Sequence, residues 1–131
     1  MDRKLLIVDD SALIQTALLG LFEGIQGIQS IDTASTLTQA LNCVRRTLPN
    51  FVILDLNLPD GNGSAIITLL KEMVPGMLIA VLTNAACDFN RKKCLRAGAD
   101  WFLDKSNEFE ALLRIFQDLA AQNDIPRSMV P

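Results

Sequence analysis

Short apolar runs alternate with longer stretches of helical periodicity along this chain, and few folds accommodate that alternation. The runs cover residues 5–8, 28–32, 51–54, 78–82 and 101–103. Short runs without polar alternation are typical of strands buried on both faces, as in parallel sheets that helices cover. We therefore predict an α/β fold of five βα units, in which right-handed crossovers place helices on both faces of one sheet.

Five helices are predicted between and after these runs. The second carries an apolar stripe that ends before Pro49, a helix-stopping residue. The fifth begins beside Asn107 and Glu110, which are spaced as a capping box. The stripe of the second helix comprises Leu37, Ala40, Leu41 and Val44, and that of the fifth comprises Phe109, Leu112, Leu113 and Phe116. The other three helices are predicted over residues 12–22, 64–73 and 88–96.

The length and hydrophobic content favour one domain. A chain of 131 residues with 50% hydrophobic residues is long enough to bury a sizeable core. Helical periodicity fades after about Ala121, and chain-breaking residues such as Pro126 follow. We predict a domain over residues 1–121 and a C-terminal tail or linker stub over residues 122–131.

Composition excludes several classes of protein. The formal charge is -3 and the twelve Lys and Arg residues are dispersed, so direct nucleic-acid binding is not expected. The apolar run at residues 5–8 is too short for a signal peptide or a membrane span, which predicts a cytoplasmic protein. Cys43, Cys87 and Cys94 lack metal-ligand spacing and are predicted to be packing thiols. Because the chain has no histidine, phosphate chemistry here must use carboxylates.

Polar side chains follow four of the predicted strands at the point where each ends. Asp9 and Asp10 follow the first run, Asp55 follows the third, Thr83 follows the fourth, and Lys105 lies just beyond the fifth. Ligands bind at the carboxyl ends of the strands in open parallel sheets. We therefore expect these five side chains to form one site.

The predicted site has the groups needed for metal-assisted phosphoryl chemistry. Clustered carboxylates repel one another unless a cation is present, and oxygen ligands without histidine or thiolate favour Mg²⁺. A carboxylate can then attack phosphorus while the metal, an amine and a hydroxyl stabilise the oxygens that gain charge. Alternatively, Asp10 and Asp55 only cap the segments that follow them, and Lys105 is a solvated charge.

Four motifs resemble the receiver domain of two-component response regulators, and the resemblance covers about Lys4 to Ala121. They are LIVDDS at residues 6–11, VILDLNLPDGNG at 52–63, VLT at 81–83 and AGADWFLDK at 97–105. The resemblance implies a flavodoxin-like, doubly wound sheet with strand order 2-1-3-4-5.

The resemblance also implies which residues bind phosphate and metal. Asp55 would be the phosphoacceptor, and a histidine of a sensor kinase or phosphotransfer protein would be the donor. Asp10 and Asp55 would bind Mg²⁺ directly, Asp9 mostly through water, and Asn57 through its backbone carbonyl.

Three further residues would convert phosphorylation into a signal. Lys105 would contact one phosphoryl oxygen, and Thr83 would bind another after its loop moves inward. Phe102 would be the switch aromatic, whose rotation alters the face formed by helix four, strand five and helix five; alternatively, it is only a packed aromatic beside Trp101. The chain would then be a signalling module and not a turnover enzyme.

Two positions depart from the family pattern. Ser106 stands where proline is usual, and because a cis bond without proline costs ~3 kcal/mol, we predict a trans linkage before it. Asn84 stands where a very small residue is usual, so its amide is expected to narrow access to the aspartyl phosphate or to place a water molecule.

Two surfaces are candidates for partners. The first helix is uncharged, so an apolar outward side with Gln15, Leu19 and Phe22 is expected beside the donor site, unless the last helix covers it. Helix four carries a basic stretch that is either solvated or pairs with acids on helix five of a second copy, which would make a homodimer. The basic residues are Arg91, Lys92, Lys93 and Arg96, and the acids are Glu110 and Asp118.

Three alternative functions share parts of the pattern. The chain could be the receiver of a longer DNA-binding or enzymatic response regulator. It could be a Mg²⁺-dependent phosphohydrolase with Asp55 as nucleophile, although Asn57 stands where such an enzyme needs its acidic residue. A flavodoxin-like cofactor binder would need a Gly-rich loop where Asp9 and Asp10 would repel phosphate.

Overall fold

Five parallel strands form the central sheet of the computed structural model, which describes residues 3–124. The strands are β1 (Arg3–Val8), β2 (Ile28–Ala34), β3 (Phe51–Leu54), β4 (Leu78–Thr83) and β5 (Trp101–Asp104). Their spatial order is β2-β1-β3-β4-β5, and every neighbouring pair is parallel. The predicted doubly wound α/β fold and its 2-1-3-4-5 order are therefore confirmed.

Helices connect the strands and cover both faces of the sheet. They are α1 (Ala12–Phe22), α2 (Leu37–Thr47), α3 (Ile67–Met73), α4 (Asp88–Ala97) and α5 (Phe109–Asp124). Side-chain caps fix two of the starts, because Ser11 and Thr36 accept hydrogen bonds from main-chain N–H groups in the first turns of α1 and α2. Within residues 3–124, no helix is both long enough and apolar enough to cross a membrane.

Two helix starts differ from the predictions. The segment Gly63–Ile66, where the third helix was expected to start, is a tighter 3₁₀ turn, and α3 begins only at Ile67. Asn107 lies before α5 instead of capping it, because its side chain donates to the Asp104 carboxylate within a turn. The predicted domain end at Ala121 falls inside α5, and the tail beyond Asp124 lies outside the described residues.

Alternate side chains of the strands point into two apolar layers. In β1, Leu6 and Val8 point into the layer beneath α2, α3 and α4, whereas Leu5 and Ile7 point into the layer beneath α1 and α5. All four side chains are essentially inaccessible to solvent. The central strands are thus buried on both faces, which explains why their sequences are continuous apolar runs.

The outward side predicted for α1 is only partly correct. Phe22 is buried in the layer beneath α5, and Gln15 is half-buried because its amide donates to the main-chain oxygen of Asp9. Leu13 and Leu19 are the large apolar side chains that α1 exposes, to 79% and 38% of their surface. The last helix therefore covers Phe22, which was the alternative prediction, whereas Leu19 is exposed as first predicted.

The cysteines all carry free thiols. Cys43 and Cys94 are buried in the layer beneath α2, α3 and α4, as expected for packing thiols. Burial raises the pKa of the Cys94 thiol above its usual value. Cys87 is exposed at the cap position before α4, so the predicted packing role is wrong for that residue.

Candidate functional site

The carboxyl ends of four strands bring the predicted site residues to one edge of the sheet. The last residues of β1 and β3 are paired, so Asp9 and Asp55 leave the sheet at the same level. The last residues of β4 and β5 are also paired, which places Thr83 beside the residue that precedes Lys105. Asp10 follows Asp9 in the short loop that leads to α1.

Three carboxylates form the centre of the site. One oxygen each from Asp9, Asp10 and Asp55 lies within 4.8 Å of the other two. Asp9 and Asp55 are buried, at 3% and 5% exposure, whereas Asp10 is exposed. Main-chain N–H groups hold the buried pair, since Ser11 donates to Asp9 Oδ1 at 2.9 Å and Asn57 donates to Asp55 Oδ1 at 3.3 Å.

A buried ammonium group joins two of these carboxylates. Lys105 Nζ lies 2.6 Å from Asp9 Oδ2 and 3.0 Å from Asp55 Oδ2. Burial alone would lower the pKa of Lys105, but the hydrogen bonds and negative charges of the two carboxylates raise it on balance. The side chain is therefore a fixed positive charge beside Asp55.

The donor set fits a divalent cation. Three carboxylates and one ammonium group leave two uncompensated negative charges in the cleft. All the charged ligands are oxygens, and the chain has no histidine, so a hard cation such as Mg²⁺ suits the site better than a transition metal.

Thr83 lies next to the three clustered carboxylates, but its side chain is not exposed to solvent there. Its side chain is fully buried, and its hydroxyl accepts a hydrogen bond from the N–H of Ala85 at 3.1 Å. Its carbonyl accepts a bond of the same length from the N–H of Lys105. The two residues predicted to hold phosphoryl oxygens are thus linked through the main chain.

The carboxylates open into a cleft of about 330 Å³. Ser11 and Ile14, from the start of α1, line it although sequence reasoning did not place them there. Asn84 also lines it and is exposed, at the position where reduced access was predicted. The full lining is Asp9, Asp10, Ser11, Ile14, Asp55, Asn57, Asn84 and Lys105.

Phe102 packs inward, away from the cleft. The side chain is only 4% exposed, in the layer beneath α4, and the Arg91 guanidinium lies 5.2 Å from the centre of its ring. Trp101 points into the opposite layer and stacks on Phe51. Phe102 therefore contacts α4 and not its aromatic neighbour, and its switching role stays a prediction.

The loop after Asp55 contains two positioning residues that sequence reasoning missed. A Cβ at Gly63 would overlap the carbonyl oxygen of Asp55, so only glycine lets this loop pass so close to the strand. Asp60 accepts hydrogen bonds from the N–H groups of Leu37 and Thr38 at the start of α2. The glycine could have been recognised from the sequence. The Asp60 contact could not, because it joins distant parts of the chain.

Comparison with known proteins identifies the family. Residues 5–117 match the model of the response regulator receiver domain. The chain belongs to this receiver family.

Relatives of the receiver include both curated proteins and solved structures. The photosynthetic apparatus regulatory protein RegA of Rhodobacter capsulatus is 33% identical over 79% of this chain and 55% of its own length. The BeF3-activated DrrB receiver domain is 28% identical with a TM-score of 0.80, over 92% of this chain and 99% of that one. A CheY-like receiver domain protein of Methanospirillum hungatei is 27% identical, also with a TM-score of 0.80, over 94% and 98%.

The curated relatives are longer than this receiver. The chain spans about half the length of relatives such as RegA. These relatives are mainly transcriptional regulators, and one is a protein-glutamate methylesterase.

One departure from the usual receiver pattern has a clear structural answer. The Lys105–Ser106 linkage is trans, as the absence of proline predicts, because residues 3–124 contain no cis peptide bond. Ser106 donates both its N–H and its hydroxyl to Asp104 Oδ1, at 2.9 and 2.7 Å. These bonds, the hydroxyl first, lower the pKa of Asp104 below its usual value. A hydrogen-bonded turn thus fixes the chain after Lys105 at the position where the sequence resemblance led us to expect proline.

Proposed function

We propose that this receiver accepts a phosphoryl group on Asp55 from a phosphohistidine of a sensor kinase or phosphotransfer protein. One observation carries the proposal: Lys105 Nζ lies 3.0 Å from Asp55 Oδ2, in a cleft that also holds the carboxylates of Asp9 and Asp10. This arrangement sets a buried positive charge where a phosphoryl group on Asp55 gains negative charge.

The bonds that form and break in the transfer belong only to this chain and its donor. A carboxylate oxygen of Asp55 attacks phosphorus, and the phosphorus–nitrogen bond of the donor breaks, so the imidazole leaves with the electron pair of that bond. The chain has no histidine of its own, so the donor is on the partner. Lys105 stabilises one phosphoryl oxygen, and Thr83 exchanges its contact with Ala85 for another.

Magnesium completes the site in this proposal. Asp9, Asp10, Asp55 and the backbone carbonyl of Asn57 hold the ion, in keeping with the carboxylate spacing and the two uncompensated charges. When bound, Mg²⁺ neutralises charge on the transferring phosphoryl group.

The aspartyl phosphate biases a conformational switch. It adds charge and acceptor oxygens that Thr83 and Lys105 hold in only one of two states. Inward movement of Thr83 removes support from the loop before α4, and Phe102, which packs beneath α4, then changes the face formed by α4, β5 and α5. Output passes from this face to a partner protein or to a second copy, in the cytoplasm.

The function is signalling and not multiple turnover. In the alternative, the same switch works inside a longer DNA-binding or enzymatic regulator, which the greater length of the relatives supports. In either case this chain contributes the phosphoacceptor site.

Incubation with Mg²⁺ and acetyl phosphate tests the proposal, with intact mass as the measurement. Wild-type protein and an Asp118→Asn control, changed at an exposed site on α5, should each gain one labile phosphoryl group. Asp55→Asn should gain none. Absence of any gain in the wild type would refute the phosphoacceptor role, and many turnovers of a small phosphoester would make the protein a phosphohydrolase instead.

A further inference from the structure

We propose that the start of α2 braces the metal site by fixing the separation of its two acidic loops, with Asp60 and Gln15 as positioning residues. The first acidic loop follows β1 and carries Asp9 and Asp10, and the second follows β3 and carries Asp55. The inference rests on the proposed function, because it concerns how this chain holds its Mg²⁺ ligands.

Asp60 ties the second acidic loop to α2. Its carboxylate accepts from the N–H of Leu37 at 2.8 Å, and from both the N–H and the hydroxyl of Thr38 at 3.1 Å. The bond from Leu37 is the main cause that lowers the pKa of Asp60, so the residue stays charged at neutral pH. A negative charge at this position also interacts favourably with the positive end of the helix.

A small hairpin transmits this contact to the ligands. Asn57–Leu58 pairs with Gly61–Asn62, and Asp60 lies in the turn between them. A Cβ added at Gly61 would lie 2.9 Å from Cδ1 of Leu37, which shows that the turn rests directly on α2. At its other end the hairpin begins at Asn57, whose N–H bonds to the Asp55 carboxylate. The position of Asn57 therefore depends on α2.

Gln15 ties the first acidic loop to the same helix start. Its amide donates to the main-chain oxygen of Asp9 at 2.6 Å and to the hydroxyl of Ser35 at 3.1 Å. Ser35 precedes α2, and its N–H donates to the side chain of Gln39 in the first turn at 2.8 Å. Both acidic loops are thus tied to the start of α2, the first through Gln15 and Ser35 and the second through Asp60.

This arrangement has a direct consequence for metal affinity. Carboxylates repel one another, and Mg²⁺ requires near-ideal ligand positions, so a brace that resists spreading favours binding. Loss of a residue that orients metal ligands typically weakens metal binding 10–100-fold. We expect Asp60→Ala to raise the Kd for Mg²⁺ about tenfold. Gln15→Ala should raise it less, because Asp9 keeps its contacts with Ser11 and Lys105.

Isothermal titration with MgCl₂ tests the brace in the full chain, well below the unfolding temperature of each variant. Asp60→Asn should restore part of the affinity, because its amide oxygen can still accept from the N–H of Leu37. Glu72→Ala at an exposed position on α3 serves as the matched control and should bind like the wild type. Amide hydrogen exchange should show faster exchange at Asn57 in Asp60→Ala before any metal is added.

The outcomes separate this inference from the proposed function. Wild-type affinity and unchanged Asn57 exchange in Asp60→Ala, with only a lower melting temperature, would show that Asp60 merely caps α2 and would overturn the inference alone. A wild-type protein that binds no Mg²⁺ would overturn both. A large rise in Kd for Asp60→Ala with partial rescue by Asp60→Asn supports the brace.

Discussion

The ammonium group of Lys105 lies closer to Asp9 than to Asp55, at 2.6 Å against 3.0 Å. Both carboxylates share this one cation, and all three side chains are buried. Removing one partner from a buried ionic group leaves charge without compensation, which costs far more than losing an exposed ion pair. The contact therefore matters for folding as well as for the proposed phosphoryl transfer.

Replacing Lys105 should destabilise the protein and increase its response to metal. In buffer with a chelator, Lys105→Met should lower the free energy of unfolding in urea by about 3 kcal/mol, because Asp9 and Asp55 then repel each other. Adding Mg²⁺ should stabilise this variant more than the wild type. Lys92→Met, at an exposed position on α4, is the control and should leave unfolding almost unchanged. Equal stability of Lys105→Met and the wild type would contradict this account.

The stability of the protein at alkaline pH should reveal the same interaction, because Lys105 loses its charge there. The pKa of Lys105 is raised in the folded protein, so the stabilisation is fully present below the unfolded pKa of 10.5 and is lost as pH rises through the folded value. Chelated wild-type protein should lose stability steeply above this pH, and Lys105→Met should lack that loss. An earlier decline that begins near pH 9 should appear in both proteins, because the folded state holds the Cys94 proton longer than the unfolded state does.

Urea unfolding midpoints measured from about pH 8 to about pH 11 would check both predicted losses of stability. Identical curves above pH 10.5 for the two proteins would show that Lys105 does not contribute.

Gly63→Ala should damage the site through the backbone. The added Cβ would collide with the Asp55 carbonyl oxygen, and the shift needed to relieve it should cost about 2 kcal/mol and slow phosphorylation by acetyl phosphate. Gly20→Ala is the matched control, since nothing lies within 4 Å of its Cβ and alanine favours the helix by about 1 kcal/mol. Chemical denaturation of both variants would give the comparison, and similar effects of the two substitutions would refute the collision.

Leu48→Gly should stabilise the protein. Leu48 ends α2 at φ 50, a left-handed conformation that costs a non-glycine residue about 1 kcal/mol, and its side chain is 57% exposed. The free energy of unfolding should therefore rise by roughly that amount. Leu13→Gly makes the same substitution at an exposed position inside α1, and it should lower the free energy of unfolding by about 1 kcal/mol. A loss of stability in Leu48→Gly would mean that the packing of this leucine outweighs its strain.

Local patterns were sufficient to predict most of the fold. The strand cores are continuous apolar runs because both faces of the sheet are covered, and the helix predicted over residues 12–22 has the same bounds in the structure. The proximity of the five candidate site residues could be predicted because strand ends in a parallel sheet converge. The 3₁₀ turn before α3 was not predicted, because a tighter turn has no distinct sequence pattern.

The contacts that hold the site in place could not be read from local sequence. Asp60 looks like an ordinary turn residue, and only the folded chain places it on α2. Gln15 was expected on the outside of α1, yet its amide reaches two loops from different strands. Polar side chains with distant main-chain partners leave no periodic signal, so positioning residues are harder to predict than the groups that perform the chemistry.

The burial of the cleft divides it into a floor and a rim with different freedom to evolve. Asp9 and Asp55 form a floor that solvent barely reaches, and Thr83 is fully buried next to it, so a substitution at any of the three affects the folding of the whole domain. Asn57 and Asn84 belong to an exposed rim, where most substitutions change stability by less than about 0.5 kcal/mol. A lineage can therefore adjust the access of water and partners by mutating the rim while the buried carboxylates of the floor are retained.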